Sequence, residues 1–325
     1  MDKILNENIS NMQLIPLDLL NEENSLNIRI YIMSGNIPKM VKDIGVHFSK
    51  DLKNRLMNLS SSDKNKVLIN KDDVKEYINI CNSMLLKIIN SNDRPKDTFT
   101  QVFDILETVY DTLSKNISKE SIKEASKSSE YLSKFLESNP KISEVTIATL
   151  KKDLNTSIHV NNVQKLVAGF SSFIGIKAKS LSFIINSAFF HDIGKINIPD
   201  EILKKSGKLT DDEYKIIKKH TTFGYEILKK NNLPQEAEIA FTHHEFIDGS
   251  GYPNQLKGNE ISTDSKIVQI CDIYEALTGI RSYRNSLVNF TALELMIQDF
   301  FNRGKIEKNI FMDFLKFLNY NKIES

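Results

Sequence analysis

Five of this chain's six histidines, His159, His191, His220, His243 and His244, fall between residues 159 and 244 of a 325-residue sequence. Any fold of this segment must account for that concentration, which chance scatter would not produce. Imidazoles mixed with carboxylates, as in the adjacent pair His191-Asp192, suit iron, manganese, zinc and similar divalent ions. The composition is that of a metal site. The sixth histidine, His47, stands alone between Val46 and Phe48 and reads as a packed or surface residue.

The pattern around these residues predicts helices. From about Lys141 onward the chain reads as helix after helix with short loops, apart from one glycine-containing excursion at residues 247–262. His191-Asp192 closes the apolar run Phe183 to Phe190, which places the pair at the end of a buried helix, where ligands are held rigidly. Gly194 is expected to let the backbone turn there. An aspartate beside a histidine can lend two oxygens to two neighbouring ions, which makes two-metal hydrolysis of a phosphate ester the leading expectation. HD alone is a weak signal; HDIGK followed by HHE, a Gly251-Tyr252-Pro253 loop and a downstream aspartate in this order is a strong one.

The N-terminal part differs. Ile28, Ile30 and Ile32 alternate with polar or larger residues, which is strand periodicity, and a second short strand is expected at Val67 to Ile69. Helices are expected over 49–59 and about 72–89, so residues 1–92 read as a small α/β module. A turn-rich stretch at 91–95 precedes an apolar helical stripe from Val102 to Leu113 and a charged, Ser-rich helix over 119–137. Residues 93–145 are thus expected to be a helical connector, and 146–325 an all-helical metal-binding domain. The chain as a whole is expected to be mainly α. The Val102 to Leu113 stripe can pack within the chain or across a homodimer.

Composition bounds the partners. A formal net charge of +1 and a pI near 7.7 offer no global field for a nucleic acid polymer or an anionic membrane, which favours a small substrate. Cys81 and Cys271 are too few for a disulfide framework, and Met1-Asp2-Lys3 does not begin an apolar leader, so a cytoplasmic setting is expected. Leu181 to Phe190 is the most apolar stretch and falls short of the roughly 20 residues that span a bilayer. No membrane span is expected.

At the level of motifs the chain resembles the HD-GYP family, the branch of the HD phosphohydrolases that degrades the bacterial second messenger cyclic di-GMP. The resemblance runs from about Thr156 to Tyr283. It rests on His191-Asp192-Ile193-Gly194-Lys195, His220 with Gly224, the run from His243 to Pro253, Asp272, and Arg281-Ser282-Tyr283-Arg284. It implies that His159, His191, Asp192 and Asp272 surround one divalent ion and His220, His243 and His244 the other, with Asp192 bridging. It further implies that Lys195 contacts the scissile phosphate and that Tyr252, Arg281 and Arg284 face the nucleotide. The reaction implied is attack by an activated hydroxide on a phosphodiester, opening cyclic di-GMP to linear pGpG and then, more slowly, to GMP. Iron or manganese is the cofactor the family suggests, and diguanylate cyclase domains are protein partners it suggests.

Two departures bear on this. Asn155 stands where some members carry a glutamate that recruits a third ion, so two ions and modest activity are expected. Val160 and Asn162 depart from the family's HSxRV stretch, where the second position is serine and the fourth arginine. These changes motivate a second reading, a weakly active or inactive module that binds cyclic di-GMP or a protein partner; a third keeps the catalyst and changes the substrate to another cyclic dinucleotide such as cyclic GMP-AMP, which residues beyond the motifs decide. Glu245 and Asp248 are expected to shape their surroundings through hydrogen bonds, and Thr210 to Glu213 to cap a helix.

Overall fold

The computed structural model of the chain describes residues 9–20, 26–34, 37–59, 66–91, 98–139, 146, 149–151, 155–279 and 289–320. It divides into two units, Met1–Ser128 and Ser129–Ser325.

In the first unit, strands β1 (Met12–Pro16), β2 (Ile30–Ser34), β3 (Ile37–Lys42) and β4 (Lys66–Asn70) form an antiparallel sheet in the order β1-β4-β2-β3. Helix α1 (Lys50–Leu59) precedes β4, and α2 (Val74–Asn90) and α3 (Thr98–Lys115) follow it. The expected strands at Ile30 and Val67 are both present. β1 and β3 are the two the periodicity does not announce. Each lies at an edge and carries a proline, Pro16 or Pro38, and β3 alternates poorly between buried and exposed positions. Edge strands tolerate proline because one row of amides has no ladder to join. Ile15, Val67, Ile69 and Ile30 are buried, and Gln13 Nε2 donates to the Thr112 carbonyl of α3 at 2.8 Å, which ties that helix to β1. The Val102 to Leu113 stripe is buried as its spacing implies.

The division between the units falls within α4 (Lys119–Glu137). The second unit is helical. Its centre is α5 (Thr156–Phe173), buried along every residue from Ser157 to Ser171. Asn155 starts it as an N-cap, its side chain accepting from the Ser157 amide at 3.0 Å. Around α5 lie α6 (Ala178–Phe190), α11 (Thr263–Thr278) and α13 (Lys308–Tyr320). Phe170 of α5 meets Phe314 and Phe317 of α13 with ring centres 5.2 and 5.7 Å apart, and each such buried ring contributes on the order of 1.5–3 kcal/mol.

Between α6 and α11 the chain makes a 3₁₀ turn (Ile193–Asn197), then α7 (Asp200–Leu203), α8 (Asp211–Lys218), α9 (His220–Lys230) and α10 (Pro234–Thr242). The expected capping box is present: Thr210 accepts from the Glu213 amide and Glu213 accepts from that of Thr210. Proline opens α10, where its missing N–H is not needed. α12 (Asn289–Met296) and a π turn (Ile297–Phe301) lead into α13. Among the described residues no helix is long and apolar enough to cross a membrane.

Candidate metal centre

Helix ends do most of the positioning. His191 follows the last residue of α6, His243 follows that of α10, and His220 opens α9. Each uses its Nδ1 in the same way, donating to the carbonyl three residues earlier: His191 to Ala188 at 2.7 Å, His220 to Ile217 at 2.7 Å, His243 to Ala240 at 2.9 Å. A carbonyl can only accept, so the proton of each ring is on Nδ1 and a neutral ring has a bare lone pair on Nε2. His159, in the first turn of α5, and Asp272, on α11, complete the cluster from the other side.

The carboxylate of Asp192 stands between these rings and is fully buried. Its Oδ2 lies 3.2 Å from His159 Nε2 and 3.4 Å from His191 Nε2, while Oδ1 lies 3.3 Å from His220 Nε2 and 4.0 Å from His243 Nε2. Lys195, one 3₁₀ turn on, donates its ammonium to Oδ2. Asp272 reaches His159 Nε2 at 3.2 Å and His244 Nδ1 at 3.9 Å. Two sets result, His159 with His191 and Asp192, and His220 with His243 and His244, each with ligand atoms within 4.8 Å of one another.

Burial, opposed by Asp192, holds His220 down to about 4, and burial together with the neighbouring imidazoles holds His243 well below its ordinary value. Both rings are therefore neutral near pH 7. Their Nε2 atoms nonetheless face each other at 3.4 Å, with Asp192 Oδ1 alongside. Lone pairs converge there without a proton between them. His191 Nε2 and Asp192 Oδ1 have no hydrogen-bond partner among the described residues. A buried cluster of acceptors is costly unless a cation sits among them, and neutral imidazole with carboxylate is the donor set of divalent iron, manganese or zinc. The residues fit a metal.

Burial alone would raise the Asp192 carboxyl; the Lys195 ammonium, and after it the neighbouring His191 and His159, more than offset it, and its pKa lies well below the usual range. Asp272 follows the same logic, burial being outweighed chiefly by its close neighbour His159. Both carboxylates are anionic at neutral pH.

The GYP loop closes the open side. Tyr252 stacks on His244 with ring centres 4.8 Å apart and 28° between planes, and the Lys218 ammonium lies 5.0 Å from the Tyr252 ring centre and 4.7 Å from that of Tyr214. A pocket of about 280 Å³ opens there, lined in part by Lys218, Lys219, Thr222, Tyr252 and Gln255. Glu245, fully buried, accepts from the amides of Asn254 at 2.6 Å and Leu256 at 3.1 Å, and Asp248 accepts from the Ser250 amide at 2.9 Å. Gly251 is required by close approach: a Cβ would overlap the Phe246 amide and come within 2.5 Å of the His244 carbonyl oxygen. Gly194 is needed for a related reason. Its φ is not positive; a Cβ there would strike the His220 carbonyl and the Gly224 amide, so its role is contact with α9 and not the turn itself.

The seven residues expected to surround the metals, and Lys195, thus come together, and Tyr252 lies against them. Arg281 and Arg284 lie outside the described residues. Lys205 is paired with Glu213 at 2.6 Å. Sequence reasoning missed Glu275, 3% exposed, whose carboxylate binds His159 Nδ1. The available signal was its place three residues after Asp272, on the same helical face.

Comparison with known proteins agrees with this geometry. The HD domain family matches residues 116–301. The chain is 40% identical over 159 residues to a cyclic di-GMP phosphodiesterase of Thermotoga maritima, a match covering 48% of this chain and 42% of the relative. It is 43% identical over 133 residues to 3'3'-cGAMP-specific phosphodiesterase 2 of Vibrio cholerae, covering 40% of this chain and 26% of the relative. This chain therefore spans less than half the length of these curated relatives. In fold it is similar to an HDG"Y"P protein of Bdellovibrio bacteriovorus, with a TM-score of 0.65 at 16% identity, over 96% of this chain and 99% of that one. The chain belongs to the HD domain family.

Proposed function

We propose that this chain is a metal-dependent phosphodiesterase that hydrolyses cyclic di-GMP to linear pGpG, with a slower second cut to GMP. The observation that carries the reading is the division of Asp192, one oxygen facing His159 and His191 and the other facing His220 and His243. His159, His191, Asp192 and Asp272 would hold one divalent ion, and His220, His243 and His244, with Asp192 shared, the other. Iron or manganese is favoured. Two such ions would acidify a water at neutral pH and draw charge from the phosphate oxygens.

The chain's own residues do the rest. Asp192 keeps both sets in register and stays anionic. Lys195, tethered to it, brings an ammonium to where a phosphate oxygen gains charge. Tyr252 presents a ring to the nucleotide, Lys218 and Lys219 line a pocket suited to an anionic ligand, and Arg281 and Arg284 are proposed to reach its bases or phosphates. Asn155 is engaged in capping α5 and is a neutral amide, which supports two ions and not three. Relatives that act on cyclic di-GMP and on 3'3'-cGAMP both support the substrate class.

Around this core, residues 1–92 are proposed as a regulatory or interaction module, 93–145 as a helical connector and 146–325 as the phosphohydrolase. The protein is proposed to act in the cytoplasm, as its two buried free cysteines suit, with diguanylate cyclase domains or a second copy as protein partners.

The test is chromatographic product analysis after incubating anaerobically purified, metal-quantified protein with cyclic di-GMP and with 3'3'-cGAMP, beside Asp192→Ala. Metal-dependent pGpG, absent in the variant, is the expected result, and the two rates rank the substrates. Nucleotide bound but left intact by protein carrying two ions would turn the reading to a messenger-binding module.

A further inference from the structure

His159 is held differently from the other buried imidazoles. His191, His220 and His243 each donate Nδ1–H to a backbone carbonyl of their own helix end, so their orientation follows from the local fold. The partner of His159 Nδ1 is a carboxylate, that of Glu275, 116 residues further along the chain. Glu275 is itself fixed: its Oε1 accepts from Asn162 Nδ2 at 3.1 Å. The Asn162 amide closes on the backbone of Lys151, accepting from its N–H at 3.1 Å and donating to its carbonyl at 2.7 Å. His159, Asn162 and Glu275 are buried, and Lys151 at the end of the relay is half-buried.

We propose that Glu275 is a positioning residue for His159, and that Asn162 holds Glu275 in place. The proposal rests on the reading of His159 as a metal ligand. A carboxylate at Nδ1 fixes the tautomer, aims Nε2 at Asp192 and Asp272, and makes that nitrogen a stronger donor than a carbonyl partner would. The arrangement also accounts for asparagine at position 162, where the family commonly has arginine. Lys151 presents both an amide N–H and a carbonyl, and asparagine can answer both, whereas a guanidinium has donors only. His159 with Asn162 and Asp272 with Glu275 are both spaced by three residues, so each ligand and its support share one helix face.

The geometry makes a selective prediction. Loss of Glu275 should weaken the ion on the His159 side and spare the one on the His220 side. The experiment is calorimetric titration of Mn²⁺ into the chelator-stripped full chain, for wild type, Glu275→Gln, Glu275→Ala and Asn162→Ala, with circular dichroism to verify folding. Two binding events are expected in wild type. In Glu275→Ala one should weaken by about 10–100-fold while the other is unchanged. Glu275→Gln, which keeps the shape without the charge, and Asn162→Ala, which removes the tether, should weaken the same event by smaller factors. Should Glu275→Ala fail to fold, Glu275→Gln decides the question. Equal weakening of both events, or of neither, overturns the positioning role while leaving the metal reading intact. A wild-type chain that binds no Mn²⁺ or other divalent ion overturns the metal reading and this inference with it.

Discussion

Gly194 packs against the backbone carbonyl of His220 so closely that no Cβ could stand between them. The contact joins the turn after His191-Asp192 to the start of α9, and so sets the spacing between Asp192 Oδ1 and His220 Nε2 at 3.3 Å. The obstructing atoms belong to the backbone and cannot swing aside. Gly194→Ala is therefore expected to cost about 1–3 kcal/mol of stability. It should also loosen the His220 side of the centre more than the His159 side. Urea denaturation and metal stoichiometry would check this; an alanine variant with wild-type stability and two tightly bound ions contradicts it.

Lys195 donates to a carboxylate that is otherwise surrounded by imidazoles. Lys195→Ala leaves every proposed ligand in place and removes the one ammonium found next to Asp192 among the described residues. Turnover of cyclic di-GMP is expected to fall on the order of 10²–10³-fold with the metal content kept, the size typical of losing one donor to a developing oxyanion. Rate and metal content measured on the same preparation separate a role in the reaction from a role in metal retention.

Glu245 holds the GYP loop by accepting from the amides of Asn254 and Leu256. In Glu245→Gln one of those amides would face an NH₂ group. A cost of about 1–3 kcal/mol is expected, felt first in the loop. Hydrogen exchange at Asn254 and Leu256 should accelerate and KM should rise, while the Nδ1 contacts of His191 and His220 are untouched. Unchanged exchange at both amides would exclude this account.

Acid should destabilise the metal-stripped protein over a defined range. Burial holds the folded-state pKa of His220 down to about 4 and that of His243 well below its ordinary value, whereas unfolded histidine titrates near about 6.5. As pH falls through about 6.5 the unfolded chain takes up protons that the folded chain refuses. Stability is thus lost progressively from about pH 6.5 down to about 4. Asp192 and Asp272, both depressed, add their own loss only below about pH 4, beneath the unfolded carboxylate range. The urea midpoint of chelator-treated protein should decline between pH 7 and 5, and less so in His220→Gln. A flat midpoint over that interval would refute the argument.

Much of this protein is legible in the sequence because its signals are local. The run Phe183 to Phe190 ends at His191, and Thr210 and Glu213 cap α8 three residues apart. The identities of the proposed ligands come from the same short motifs. β1 and β3 escape because an edge strand with a proline need not alternate, so its sequence carries no clear period. Other features have too little local signal to be assigned. Gly194 looks like a turn residue until α9 is packed against it, and Asn155 looks like a missing acid until its amide oxygen is found on the Ser157 N–H. His159 and Glu275 are 116 residues apart, and nothing in either neighbourhood names the other. Residue type and spacing decide which groups can bind a metal. Which oxygen faces which ring, and what holds each ring in place, is decided only when α5, α6, α9 and α11 pack, because those contacts depend on distances that the covalent chain does not constrain.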